Sequence, residues 1–184
     1  MGVPSRGDVA AAVARCAESS WHGSAWRFHK RRYPATDPGG SLRVSGRYNR
    51  GLDQFPEDEV WPALYLSLGP EVCLGEVLRH VAENMLARLN DYRLSELRLA
   101  LEAVLDSRDV PAALGLTLDG LLADTDYRVT QELAAAAIAR QAEAILLPSA
   151  TRLGDNLILF PRNLRPRSSI TVIASRDPRL YVPR

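Results

Sequence analysis

The order of elements legible in the sequence predicts an α+β fold, with helices and strands mixed in one compact domain. Three observations carry that expectation. Strand candidates recur at Ala25-Trp26-Arg27-Phe28, at the alternating Ala63-Leu64-Tyr65-Leu66-Ser67-Leu68, at the short apolar run Ala144-Ile145-Leu146-Leu147 and at Asn156 to Phe160. Stretches of helical periodicity separate them, chiefly after Pro70 and from Tyr127 to Gln141. The 184 residues, 46% hydrophobic and 24% charged, suffice to bury a core without disulfides or a structural metal.

From the N-terminus, Asp8 is placed to cap a helix running to about Ser19, with Val9, Ala12, Val13 and Cys16 recurring at helical spacing. In the strand that follows, Trp26 and Phe28 share one face and Arg27 takes the other, toward a surface or a cleft. His29 to Gly40 is basic and then rich in Pro and Gly, a loop by composition. It leads into Ser45-Gly46-Arg47-Tyr48-Asn49-Arg50-Gly51, where two glycines bracket a planar cation and an aromatic ring. Such a bend suits a phosphate, although by itself the stretch is more simply an exposed arginine-rich turn.

Gly69 and Pro70 end the next strand and open a helix with Glu71 in its first turn. Val72, Leu74, Val77, Leu78 and Val81 make its surface mainly apolar toward Leu86, and Glu76 lies inside that pattern. Unpaired burial of a carboxylate is costly, so Glu76 reaches either solvent or a cleft with partners, and these residues alone favour solvent. From Arg93 to Ser107, alternate Leu97, Leu99, Leu101, Ala103 and Leu105 predict one or two strands. Short helices are expected at Asp109 with Pro111 and at Thr117 to Leu122, then a longer alanine-rich one capped by Thr125 or Asp126. Ser149 follows Pro148 at a strand end, where side chains often reach a cleft. Ile170 to Ser175 is the last strand.

Composition excludes several function classes. A net charge of +1 gives no long-range field for polyanions, so nucleic acid is not expected as a direct partner. Lys30 is the only lysine and the other 22 cations are arginine, which favours bidentate phosphate contacts, although GC-rich codon usage explains most of the excess. Cys16 and Cys73 are the only cysteines, as suits a reducing compartment. Neither CxxC nor HExxH occurs and His22, His29 and His80 are scattered, so no metal is expected. Asp8 and Arg15 interrupt the N-terminal alanines, so no signal peptide or membrane span is expected and the location read from the sequence is cytoplasmic.

An arginine in Trp26-Arg27-Phe28 or Gly46-Arg47-Tyr48-Asn49, a glutamate in Leu74-Gly75-Glu76-Val77 and a serine in Leu147-Pro148-Ser149 follow one another in that order. From about Ala25 to Ser175 this resembles the RES domain family, named for its Arg, Glu and Ser. The family more often has tryptophan where this chain has Tyr48. Beside the packing helix, assigned to residues 1–24, the resemblance implies a RES-like catalytic domain over 25–184 within one compact domain, with a fold similar to that of ADP-ribosyltransferases. It further implies a bacterial toxin of a toxin–antitoxin pair that consumes NAD as substrate, needs no cofactor and is partnered by an Xre-like antitoxin.

On this resemblance the catalytic set is Glu76, Arg47 and Tyr65, and the substrate-binding set is Arg27, Arg47, Tyr48, Asn49 and Ser149. The chemistry suits these residue types. Two arginines can hold a pyrophosphate, an aromatic ring can stack on nicotinamide or adenine, and a carboxylate stabilises the oxocarbenium-like ribose as nicotinamide leaves. Inorganic phosphate is a candidate acceptor beside water, because Arg27, Arg47 and Arg50 would give more cationic donors than one pyrophosphate needs. The alternatives are a protein ADP-ribosyltransferase and an inactive binding module of the same fold.

Overall fold

The computed structural model describes residues 3–79, 89–121 and 126–181. Six strands are formed: β1 (Glu18–Lys30), β2 (Leu64–Ser67), β3 (Tyr92–Asp106), β4 (Ala144–Pro148), β5 (Asp155–Leu159) and β6 (Ser169–Arg176). They run in the order β1-β2-β5-β4-β3-β6, and β1 also pairs with β3. Five strands therefore close into a barrel-like ring, with β6 outside it on β3. The long β3 makes this possible. One edge pairs with β1 from Glu18↔Leu105 to Lys30↔Tyr92, while the other carries β6 over Leu94–Ala100 and β4 over Val104–Asp106. The ring closes between β1 and β2 at the register pair Trp26↔Ser67.

The leucine alternation of β3 has its expected consequence, and one continuous strand results where one or two were expected. Leu97, Leu99 and Leu101 are buried with Ala25, Leu64, Leu66, Leu157 and Leu159 in one core. Residues of the opposite parity on β4 and β5, Ile145, Leu147 and Ile158, are buried in a second core with Val9, Val13, Leu133, Ala137 and Phe160. That second core lies beneath α1 (Arg6–Ala14) and α6 (Arg128–Ala139). The alanines of α6 have no bulk to hold the two helices apart, and Ala134 and Ala137 are fully buried.

Several boundaries differ from the sequence reading. Ser5, not Asp8, caps α1: its hydroxyl accepts from Asp8 N at 3.2 Å, while the Asp8 carboxylate accepts from Ser5 N at 3.0 Å, a reciprocal capping box. The helix ends at Ala14, short of Ser19, because the chain enters β1 at Glu18. β1 is also far longer than Ala25–Phe28, since β3 offers its whole edge as a partner. The N-terminal 24 residues thus comprise α1 and the first half of β1. The short helices α2 (Gly39–Arg43), α4 (Val110–Ala113) and α5 (Leu118–Leu121) sit in connections, the last two where expected. α3 (Pro70–Arg79) begins at Pro70 as predicted, and its expected continuation through His80 and Val81 toward Leu86 lies outside the described residues. So does Thr125, while Asp126 accepts from Arg128 N at 2.9 Å without being the N-cap, which is Tyr127.

Glu143 is a fully buried carboxylate that the sequence did not announce. It accepts from Glu102 N at 2.5 Å, Ala103 N at 2.8 Å and Arg165 N at 2.8 Å, and so joins β3 to the turn before β6. Burial pushes this carboxyl up, but the bonds from Arg165, Ser168, Ala103 and Glu102 outweigh it and hold it below its ordinary value of 4.5. A depressed carboxylate contributes stability that is complete above the unfolded value and is lost as pH falls through the folded one, hence below about pH 4.5. Glu143→Ala should cost about 3 kcal/mol or more in urea unfolding at neutral pH, because buried N–H groups lose their acceptor. The difference from the unsubstituted protein should shrink in acid; a pH-independent difference would show that the charge is not what matters.

Candidate active site

A cleft of about 570 Å³ opens among β1, β2, α3, the β4–β5 connection and the loop before β2. Its walls include Arg27, Arg47, Tyr48, Asn49, Tyr65, Glu76 and Asn156. Glu76 reaches it from α3. A Cβ on the preceding Gly75 would lie 2.7 Å from Thr151 Cγ2, so glycine is what lets the helix approach the loop after β4. Three donors converge on Glu76 Oε1: Ser149 Oγ at 2.5 Å, Asn156 Nδ2 at 2.7 Å and Ala150 N at 3.0 Å. Glu76 is half-buried with partners, not on the solvated face that its neighbours alone favoured.

The Ser45–Gly51 loop is no loose exposed turn. A Cβ on Gly51 would stand 2.5 Å from the Val44 carbonyl carbon, and one on Gly46 would stand 2.7 Å from Asn49 Oδ1 and 2.9 Å from Tyr65 Oη. The Tyr65 hydroxyl donates to Asn49 Oδ1 at 2.8 Å and accepts from Tyr48 N at 2.9 Å. Asn49 Nδ2 donates to the Ser41 carbonyl and to that of Val44. From α6, Gln131 Nε2 donates to Gly46 O at 3.0 Å and Asn49 O at 3.2 Å. Trp61 Nε1 donates to Tyr48 O at 3.0 Å. The Asn49 side chain, 1% exposed, is thus engaged within the fold, and what it does for a ligand is to shape the loop that presents Arg47.

Tyr48 lines the cleft yet is 5% exposed, its ring shared with the core beneath α6. Its centroid is 6.3 Å from that of Tyr65, tilted by 45°. Burial pushes both phenols well above their ordinary range, so both are neutral at physiological pH. Arg27 donates through Nη1 to Ala35 O at 2.5 Å and through Nη2 to Asp37 O at 2.8 Å, binding β1 to the Pro- and Gly-rich loop while lining the cleft. Burial lowers its pKa, and a guanidinium keeps its charge regardless. The Arg47 guanidinium lies 5.3 Å from the Tyr127 ring centroid.

Two placements differ from the sequence reading. Ser149 is fully buried and is not among the cleft-lining residues. Its hydroxyl is 2.5 Å from Glu76 Oε1 and 2.7 Å from Thr151 Oγ1, and it accepts from Thr151 N at 3.0 Å. It is therefore bonded to the carboxylate and does not reach the cleft surface that its position at a strand end suggested. Arg50 turns away from the cleft, its guanidinium 4.7 Å from the Phe55 ring and 4.9 Å from the Trp61 ring, and pairs with Glu132 at 2.9 Å. It is not a spare cation for phosphate.

Sequence reasoning missed Asn156, Ser67, Gln131 and the Phe28–Tyr92 stack, whose rings lie 4.7 Å apart on the cleft wall. An asparagine at the head of an apolar strand was a usable signal for the first; the stack joins β1 to β3 and has no local signature. Cys73 also lines the cleft, its thiol pushed up to about 12 by burial and hence protonated. Among the described residues no cluster of His, Cys, Asp and Glu could hold a metal, and no helix is long and apolar enough to cross a membrane.

With this geometry in view, the class of protein follows from comparison: the RES domain model matches residues 24–182, and the chain belongs to the RES domain family. Among solved structures it is similar to a chain of the M. tuberculosis MbcT–MbcA toxin–antitoxin complex, with a TM-score of 0.75 and 24% identity over 95% of this chain and 94% of that one. That likeness shows a shared fold. Comparison with curated proteins gives no match.

Proposed function

We propose that the chain is the toxin of a toxin–antitoxin pair and that it cleaves the nicotinamide–ribose bond of NAD. The observation that carries this reading is the Glu76 carboxylate, fixed by three donors in a cleft that also holds Arg27, Arg47 and several aromatic rings. A fixed anion beside the ribose stabilises the positive charge that develops as neutral nicotinamide departs. Arg47 and the remaining N–H groups of Arg27 serve the pyrophosphate, and Tyr48, Tyr65 and the Phe28–Tyr92 stack offer faces for nicotinamide and adenine. Catalysis is assigned to Glu76 with Arg47 and Tyr65, the last by holding the loop. The similarity to ADP-ribosyltransferases implied by the family belongs to this reading, as does an Xre-like antitoxin that covers the cleft, whose apolar rim includes the exposed Val44.

Purified protein incubated with NAD should release free nicotinamide, and expression without an antitoxin should lower the NAD pool of a bacterial host. Absence of nicotinamide would end the reading. The acceptor is resolved by titrating phosphate and weighing the products. Phosphorolysis gives ADP-ribose phosphorylated at the anomeric carbon, water gives free ADP-ribose, and a transferase gives ADP-ribose attached to protein. With Arg50 paired elsewhere, excess cationic charge no longer favours phosphate over water, so acceleration by phosphate would have to arise from proximity of the bound anion.

A further inference from the structure

All three donors to Glu76 fall on Oε1, and Oε2 accepts no hydrogen bond from the described residues. Two of the donors, the Ser149 hydroxyl and Ala150 N, come from one tight turn after β4. The third comes from a different strand. Asn156, the second residue of β5, pairs in register with Ser67 of β2, and its Oδ1 accepts from Ser67 Oγ at 2.7 Å. That bond fixes the amide so that Nδ2 is the group turned to Glu76. The hydrogen bonds then run in one direction, from Ser67 to Asn156 to Glu76.

We propose that Asn156, held by Ser67, is a positioning residue that turns the Glu76 carboxylate so that Oε2 is the oxygen presented to the ligand. Without it, Oε1 retains donors from only one side and the carboxylate is free to rotate about its last bond. With it, the two oxygens are inequivalent: one is anchored to the fold and the other is available to a ribose hydroxyl or the developing cation. The inference rests on the NAD-cleavage reading for its kinetic consequence but not for its geometry.

The test uses Asn156→Asp, nearly isosteric but with the donor replaced by an acceptor, and Ser67→Ala, which leaves the amide in place but unheld. In Asn156→Asp the turnover number should fall about 100-fold with little change in KM, and in Ser67→Ala roughly 2–10-fold. The rate of Asn156→Asp relative to the unsubstituted protein should recover as pH is lowered from about 8 to about 5, because a protonated carboxyl at position 156 donates again. Among the described residues, the other titratable groups lining the cleft are Arg27 from β1, Arg47 and Tyr48 from the loop, Tyr65 from β2, Cys73 from α3, Tyr92 from β3 and Tyr127 before α6. None of these residue types changes charge in that range: a guanidinium stays cationic even where burial lowers its pKa, as at Arg27, and phenols and thiols titrate above it. A purely structural role would lower the active fraction equally at every pH, and that result overturns the proposal. A second readout needs no activity. The Asn156 side-chain amide resonance, identified by its loss in Asn156→Asp, should move in both Glu76→Gln and Ser67→Ala. An unmoved resonance overturns the chain of hydrogen bonds even if NAD is cleaved. If NAD is not cleaved by the unsubstituted protein, the function reading fails while the resonance still decides this one.

Discussion

Glu76→Gln is expected to reduce nicotinamide release by at least about 100-fold while the protein remains folded. The amide keeps the shape of the side chain, and its carbonyl can still accept from Ser149, Ala150 and Asn156 as Oε1 does. What is lost is the negative charge, together with the second oxygen. Since ground-state NAD carries no full positive charge on its reacting carbon, affinity should change much less than turnover. Steady-state kinetics and a melting curve on the same preparation check this. Turnover near that of the unsubstituted protein would remove Glu76 from the chemistry.

The arginine substitutions should weaken NAD binding by roughly 1.5–3 kcal/mol each, as loss of a charge-assisted contact does. Their secondary effects should differ. Arg27 also donates to Ala35 O and Asp37 O, so Arg27→Ala unfastens the loop between β1 and α2 and should lower the melting temperature as well. Arg47→Ala acts from a loop whose shape is set by Asn49, Tyr65 and Gln131, all of which remain. Calorimetric titration of both variants decides. Unchanged affinity in the pair would assign both arginines to the architecture alone.

What could be read in the sequence was what local physics determines. β2, β4 and the start of α3 are announced by alternation, by a short apolar run ending at Pro148 and by Gly69-Pro70, and the structure has them there. β1 was underestimated because Glu18 to Gly23 is polar and carries no alternating signal; its conformation comes from pairing with β3. The site shows the same division. Glu76 looked solvated among its helical neighbours because its partners lie at positions 149, 150 and 156, remote in the chain. Asn49 and Arg50 were attractive because they adjoin Arg47, yet adjacency in a loop says little about direction. One is engaged with Ser41 and Val44 and the other with Glu132. The family resemblance brought Glu76 and Ser149 together; only the fold showed that the serine is buried and bonded to the acid.

The arginine bias has a practical consequence for labelling. Lys30 is the only lysine in the chain, exposed at the end of β1 and paired in register with Tyr92, whose ring lies on Phe28 in the cleft wall. Amine-reactive reagents therefore meet a single side chain besides the α-amino group, and that side chain is next to the aromatic pair on the cleft wall. A fluorophore attached there would sense occupancy of the cleft directly, without an engineered cysteine and without disturbing any residue assigned to binding.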